Sequence, residues 1–114
     1  MPKYKVYHNP RCSKSRMALH YLDEKNASYE VVEYLKSSPS KEELKDILGK
    51  LGIGAHDLIR KNEADYKENF KGKKLSEDEW VKAMLDFPKL IERPIVIVGD
   101  KAIIARPTER ISEL

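Results

Sequence analysis

Residues 7–16 read Tyr-His-Asn-Pro-Arg-Cys-Ser-Lys-Ser-Arg and hold the single cysteine of the chain, Cys12. A free cysteine is commonly a small buried hydrophobe, but arginine, serine and lysine neighbours argue against an apolar pocket here. Cations close to a thiol favour the thiolate, which is the nucleophilic form. Three residues separate His8 from Cys12 and three more separate Cys12 from Arg16. On a helix beginning at this point, Arg16 lies one turn on and faces the same side as the sulfur. Arg11, Lys14 and Ser15 complete the local set. Ser15 is either a plain first-turn residue or a hydroxyl that could bridge His8 and the sulfur. Asn9-Pro10 is turn chemistry.

The energetics set a requirement. A cysteine of pKa about 8.5 is only a few per cent thiolate at neutral pH. Lowering that value by about two units takes about 2.7 kcal/mol of differential stabilisation. A helix N-terminus supplies about 0.3–1 kcal/mol, with about 2 as a ceiling. The dipole alone falls short, so cations and hydrogen-bond donors must add the rest. The backbone N–H groups of Ser13–Ser15 are such donors, aimed at the sulfur and at any anion above it.

Three further arginines stand at ends of elements: Arg60, Arg93 before Pro94, and Arg106 before Pro107. Singly, each reads as a solvated surface charge. The two Arg-Pro pairs bracket a hairpin, however, which lets both guanidinium groups turn back towards the Cys12 loop. Converging guanidinium forks suit a tetrahedral oxyanion, and each charge-assisted bond contributes about 1.5–3 kcal/mol. The isomer of the Arg93-Pro94 bond is left open at this level.

The elements that must position these groups follow from periodicity. Lys5–Tyr7 ends a first strand, and Ser13–Asn26 is a helix with Met17, Ala18, Tyr21 and Leu22 on one face. Ser28–Leu35 alternates and is rich in valine and tyrosine, as a second strand should be. Ser40 with Glu43 and Ser76 with Glu79 are two capping boxes, opening helices that stop at Gly52 and Pro88. Ala55–Arg60 and Glu63–Phe70 read as short helices between them. Ile95–Val98, Gly99-Asp100 and Lys101–Ala105 make a hairpin with glycine first in its turn, and Thr108–Leu114 is a last short helix. The result is an α/β fold, β-α-β then β-β-α, with a mixed four-stranded sheet. A helical insert over about 39–90 joins the halves of one domain, 1–114.

Composition narrows the classes. Lysine plus arginine number 22 against 19 aspartate plus glutamate, too small a surplus for the concentrated basic stripe of a nucleic-acid binder. No window approaches a membrane span, and the N-terminus carries no apolar targeting segment. One thiol permits no internal disulfide, so a cytoplasmic setting is the default. No metal site is expected, because His8, His20 and His56 show no ligand spacing with the cysteine. A monomer is the default for a chain this small and charged.

Taken together, Tyr7-His8-Asn9-Pro10-x-Cys12-x-x-Ser15-Arg16, Leu58-Ile59-Arg60-Lys61-Asn62, Arg93-Pro94-Ile95-Val96 and Arg106-Pro107 resemble the glutaredoxin-coupled arsenate reductases of the ArsC family along essentially the whole chain. The resemblance implies a thioredoxin-like fold, Cys12 as the nucleophile, and His8 and Ser15 as groups that help keep its sulfur ionised; Arg16 joins this catalytic set by its spacing from Cys12. It implies that Arg60, Arg93 and Arg106 bind arsenate or a similar oxyanion. No bound cofactor is implied. Glutathione and glutaredoxin are the implied external reductants, since the chain has no second cysteine to resolve the adduct. Familiar members carry small residues around the cysteine, where this chain has Arg11, Ser13 and Lys14. Two alternatives stand beside this reading. One is a thiol oxidoreductase of the same family acting on another substrate. The other is a non-enzymatic regulator of the Spx type, whose Cys-x-x-Cys pair is here Cys12 with Ser15.

Overall fold

The computed structural model describes residues 3–36 and 39–114. The expectation about the N-terminus therefore falls partly on Met1 and Pro2, outside the described residues. The chain divides into two compact units, residues 1–37 with 93–114, and residues 38–92.

The first unit is built on a four-stranded sheet of order β2-β1-β3-β4. Its strands are β1 (Tyr4–Tyr7), β2 (Tyr29–Val32), β3 (Ile95–Val98) and β4 (Lys101–Ile104). β1 pairs parallel with β2 and antiparallel with β3, and β3 pairs antiparallel with β4. The sheet is thus mixed, in line with the order of elements along the chain. Helix α1 (Ser13–Glu24) joins β1 to β2 and buries Ser15, Ala18 and Leu22 along one stripe. Ala18 and Leu22 pack with Val6, Val96, Ile103, Ala105 and Ile111 into the core of this unit.

Several ends differ from expectation. α1 stops at Glu24 rather than Asn26 because Asn26 takes the left-handed conformation, φ 55°, which asparagine tolerates better than most residues. β2 is only four residues long, and Glu33–Lys36 turn away with Lys36 N–H bonded to the Glu33 carbonyl at 3.0 Å. The last element, Thr108–Glu113, is a 3₁₀ helix. The hairpin turns at Gly99 with φ 59°, a conformation open to glycine without steric cost.

The second unit is helical: α2 (Lys41–Leu51), α3 (Ala55–Leu58), α4 (Ala64–Asn69), α5 (Glu77–Asp86) and a 3₁₀ turn at Pro88–Leu90. Ser40 Oγ accepts from Glu43 N–H at 3.0 Å, and α2 ends at Gly52 in the left-handed region. The Ser76–Glu79 capping box is closed in both directions, at 3.2 and 2.9 Å. Glu77 accepts the Ala55 N–H on both carboxylate oxygens, at 3.0 and 2.9 Å, which ties the start of α3 to α5. The segments 58–60 and 90–92 pair through Arg60 N–H to Leu90 at 2.7 Å and Glu92 N–H to Leu58 at 2.8 Å.

Among the described residues, no helix is long and apolar enough to cross a membrane.

Candidate active site

β1 ends at Tyr7, and the chain needs five residues to turn from the sheet into α1. His8 N–H still bonds the Val32 carbonyl, at 2.9 Å, so the loop leaves the sheet at Asn9. Asn9 then organises the turn. Its Oδ1 accepts from Arg11 N–H at 3.0 Å, its carbonyl from Cys12 N–H at 2.9 Å, and its own N–H donates to Ser15 Oγ at 3.3 Å. Arg16 Nη1 donates to the Pro10 carbonyl at 2.8 Å. The loop is therefore braced from the first turn of α1, by a fully buried serine and by an exposed arginine. Asn9 is more than the ordinary turn residue its sequence context suggests. An asparagine two positions before a residue whose N–H it accepts is the local signal for this role.

Cys12 sits at the N-cap of α1 with extended backbone, φ −94° and ψ 122°, and is half-buried. Its thiol closes no cap hydrogen bond, but the N–H groups ahead of it act on the charge. Burial pushes the thiol up; the N–H groups of Ser15 and Lys14, with the charge and donor bond of Arg93, outweigh it and bring the pKa down to about 7. Backbone donors and a cation together supply what a helix dipole alone does not.

The arginines arrive through sheet register. Tyr7 stands opposite Ile95, and Ile95 opposite Ile104. Continuing both ladders outward brings residues 93 and 106 side by side, next to the loop that follows Tyr7. Ala105 N–H to the Pro94 carbonyl at 2.9 Å carries the pairing on, and Arg106 Nε donates to the Arg93 carbonyl at 2.6 Å. Arg106 Nη2 then lies 3.6 Å from Cys12 Sγ. Both Arg-Pro bonds, Arg93-Pro94 and Arg106-Pro107, are cis.

His8 enters as a neutral group. Burial holds its pKa below the ordinary value, against the opposing pull of Glu33 and a Ser15 backbone group. It is 6% exposed, and among the described residues its Nδ1 makes no hydrogen bond of good geometry. Arg60 belongs to the second unit. There Nη1 pairs with Glu63 at 3.1 Å and Nε with Glu92 at 3.6 Å. The structure thus brings Cys12, His8, Ser15, Arg16, Arg93 and Arg106 together within one unit and shows Arg60 held between two carboxylates in the other. Among the described residues, no group of three or more His, Cys, Asp or Glu side chains is placed to hold a metal.

A sulfur at a helix N-terminus, faced by two guanidinium groups on a mixed four-stranded sheet, belongs to a thioredoxin-like fold with a single cysteine at the start of its first helix. The profile of the ArsC family matches residues 7–114, and the chain belongs to that family. It is 46% identical over 113 residues to a Neisseria meningitidis protein named "Arsenate reductase", with 97% of each chain covered. It is 47% identical over 112 residues to the Escherichia coli "Uncharacterized protein YfgD", covering 96% of this chain and 94% of that one. Its fold matches a solved structure, "Arsenate reductase from Vibrio cholerae", with a TM-score of 0.93 and 42% identity over 98% of this chain and 97% of that chain.

Proposed function

We propose that the protein is an arsenate reductase that uses Cys12 as nucleophile and draws its electrons from external thiols. The observation that carries this reading is a thiol of pKa about 7 with an arginine donor 3.6 Å from its sulfur. A thiolate is required to attack arsenic, and guanidinium forks are suited to hold the oxygens of the anion while it does so. The names of close relatives point the same way.

In the proposed cycle the Cys12 thiolate attacks arsenic(V), a sulfur–arsenic bond forms, and one arsenate oxygen leaves as water or hydroxide. Glutathione then attacks the Cys12 sulfur. The sulfur–arsenic bond breaks with its electron pair remaining on arsenic, which departs as arsenite, and Cys12 is left in a mixed disulfide. A second thiol, on glutaredoxin, takes the glutathione and frees the Cys12 thiolate. Two thiols are oxidised to one disulfide, arsenate is reduced by two electrons, and one water is formed. Arg93 and Arg106 serve the anion and the sulfur in this scheme. Neutral His8 contributes polarity without charge at neutral pH. Arg60, assigned to the oxyanion by resemblance, must exchange its carboxylate partners to take part.

The test is arsenate-dependent NADPH oxidation by the purified protein with glutathione, glutaredoxin and glutathione reductase, beside Cys12→Ser. Turnover that vanishes in Cys12→Ser supports the assignment. No turnover from a protein whose Cys12 alkylates readily at pH 7 rejects arsenate as substrate.

A further inference from the structure

Cys12 occupies the N-cap of α1, where serine, threonine, aspartate or asparagine ordinarily accepts from the second or third N–H of the helix. Burial raises its pKa, and the N–H groups that pull it down again, with Arg93, are those of Ser15 and Lys14. These are the third and second residues of α1. The sulfur therefore stands where a capping oxygen would. Those donors serve it only while Cys12 keeps its extended backbone, φ −94° and ψ 122°. An ordinary cap fixes itself through its own side-chain bond, but a thiol is a weak acceptor. Residue 12 must be held in place by something other than its sulfur.

Asn9 has the bonds to do this. It is 8% exposed, and each of its bonds lands on the segment that carries the sulfur. Its Oδ1 takes the Arg11 N–H at 3.0 Å, its carbonyl takes the Cys12 N–H at 2.9 Å, and its N–H reaches Ser15 Oγ at 3.3 Å. One residue thus ties together the position before the cysteine, the cysteine itself and the third residue of the helix. His8, just before it, is bonded to the sheet through the Val32 carbonyl at 2.9 Å. Asn9 is the point at which the place of the sulfur is referred to the sheet. Its side-chain bond to the residue two positions on is an Asx-turn, which alanine cannot make and serine makes more weakly.

We propose that Asn9 is a positioning residue for Cys12, holding the sulfur at the helix N-cap within reach of the Lys14 and Ser15 N–H groups and so keeping it reactive. This rests on the reading of Cys12 as the attacking sulfur. Arg93 and Arg106 face the sulfur from the strand ends, and His8, Arg11, Lys14 and Arg16 stand in the loop or the first turn. A substitution at position 9 alters none of these charges, so the titration of Cys12 reports the loop geometry.

The test is iodoacetamide alkylation of Cys12, followed by mass spectrometry from pH 5 to 10, which involves no arsenate. Asn9→Ala raises the midpoint by about half a unit or more. Alkylation at pH 7 then slows about twofold or more and matches wild type at pH 10. Asn9→Gly, which deletes the same acceptor but tolerates any turn backbone, moves the midpoint in the same direction. Asn9→Ser recovers part of the shift. Urea unfolding adds a second readout, since the thiolate stabilises the fold only at high pH. At pH 9 Asn9→Ala costs more stability with Cys12 present than in a Cys12→Ala background, and at pH 5 the two costs agree. Midpoints that stay at the wild-type value in Asn9→Ala and Asn9→Gly overturn the proposal, as does a cost at pH 9 that is independent of Cys12. Either result leaves Asn9 a structural turn residue. Absence of arsenate turnover with the midpoints moving as expected supports the proposal and removes only the substrate assignment.

Discussion

Replacing Arg93 by alanine tests the electrostatic argument most directly. At pH 7 a thiol of pKa about 7 is half ionised, whereas one at the ordinary 9.0 is ionised to only about one per cent. The site therefore raises the reactive fraction about fiftyfold. Arg93 contributes both charge and a donor bond to that shift. An opposite charge at this range moves a pKa by about 1–3 units, and the half-buried sulfur places the effect near the lower end. The Arg93→Ala midpoint is expected at about 8, so the ionised fraction at pH 7 falls from about half to about a tenth. Alkylation by iodoacetamide, followed by mass spectrometry from pH 5 to 10, should slow about fivefold at pH 7 and match wild type at pH 10. Arg93→Lys, which keeps charge but loses the fork, should fall between. A wild-type midpoint at or above 8.5, or an Arg93→Ala midpoint that does not move, refutes the reasoning.

Because the folded pKa of Cys12 lies below the unfolded one, the thiolate stabilises the fold above pH 9 and this contribution is lost as pH falls through 7. Discounted for solvent screening, wild type should gain about 1–2 kcal/mol over Cys12→Ala between pH 6 and 9, read from urea midpoints; equal pH dependence in the two refutes this. Ser15→Ala removes the buried acceptor of Asn9 N–H and should cost about 1–3 kcal/mol in the same assay. Arg106→Ala breaks the 2.6 Å bond to the Arg93 carbonyl and the 3.6 Å contact with Cys12. It should weaken anion protection of Cys12 against alkylation by about tenfold or more. Ser76→Ala opens the capping box of α5 and should cost about 1 kcal/mol in urea unfolding while leaving alkylation of Cys12 unchanged.

Much of the architecture is legible in short-range signals along the chain. Cys12 at a helix start, the two Ser…Glu caps, the Gly99 turn and the strand–helix–strand order all depend on neighbours a few residues away. Each is present in the fold, apart from shifts of a few residues at the ends. The 3₁₀ form of the last helix is not legible, since seven residues of suitable composition accommodate either geometry. Nor is the bracing by Asn9, whose side chain looks the same in any turn.

Sequence by itself thus determined the place of Cys12 at a helix start, the order of the elements and the cationic character of the loop, because charge, capping and periodicity act over one turn of chain. Only tertiary structure decided which distant groups face the sulfur. Register across β1, β3 and β4 carries Arg93 and Arg106 to Cys12, and burial, helped by the Arg16 charge, lowers the pKa of His8. Pairing of the 58–60 and 90–92 segments sets Glu92 beside Arg60, which also pairs locally with Glu63. A guanidinium is the same in every arginine, and what it holds depends on which backbone the sheet or bridge sets beside it.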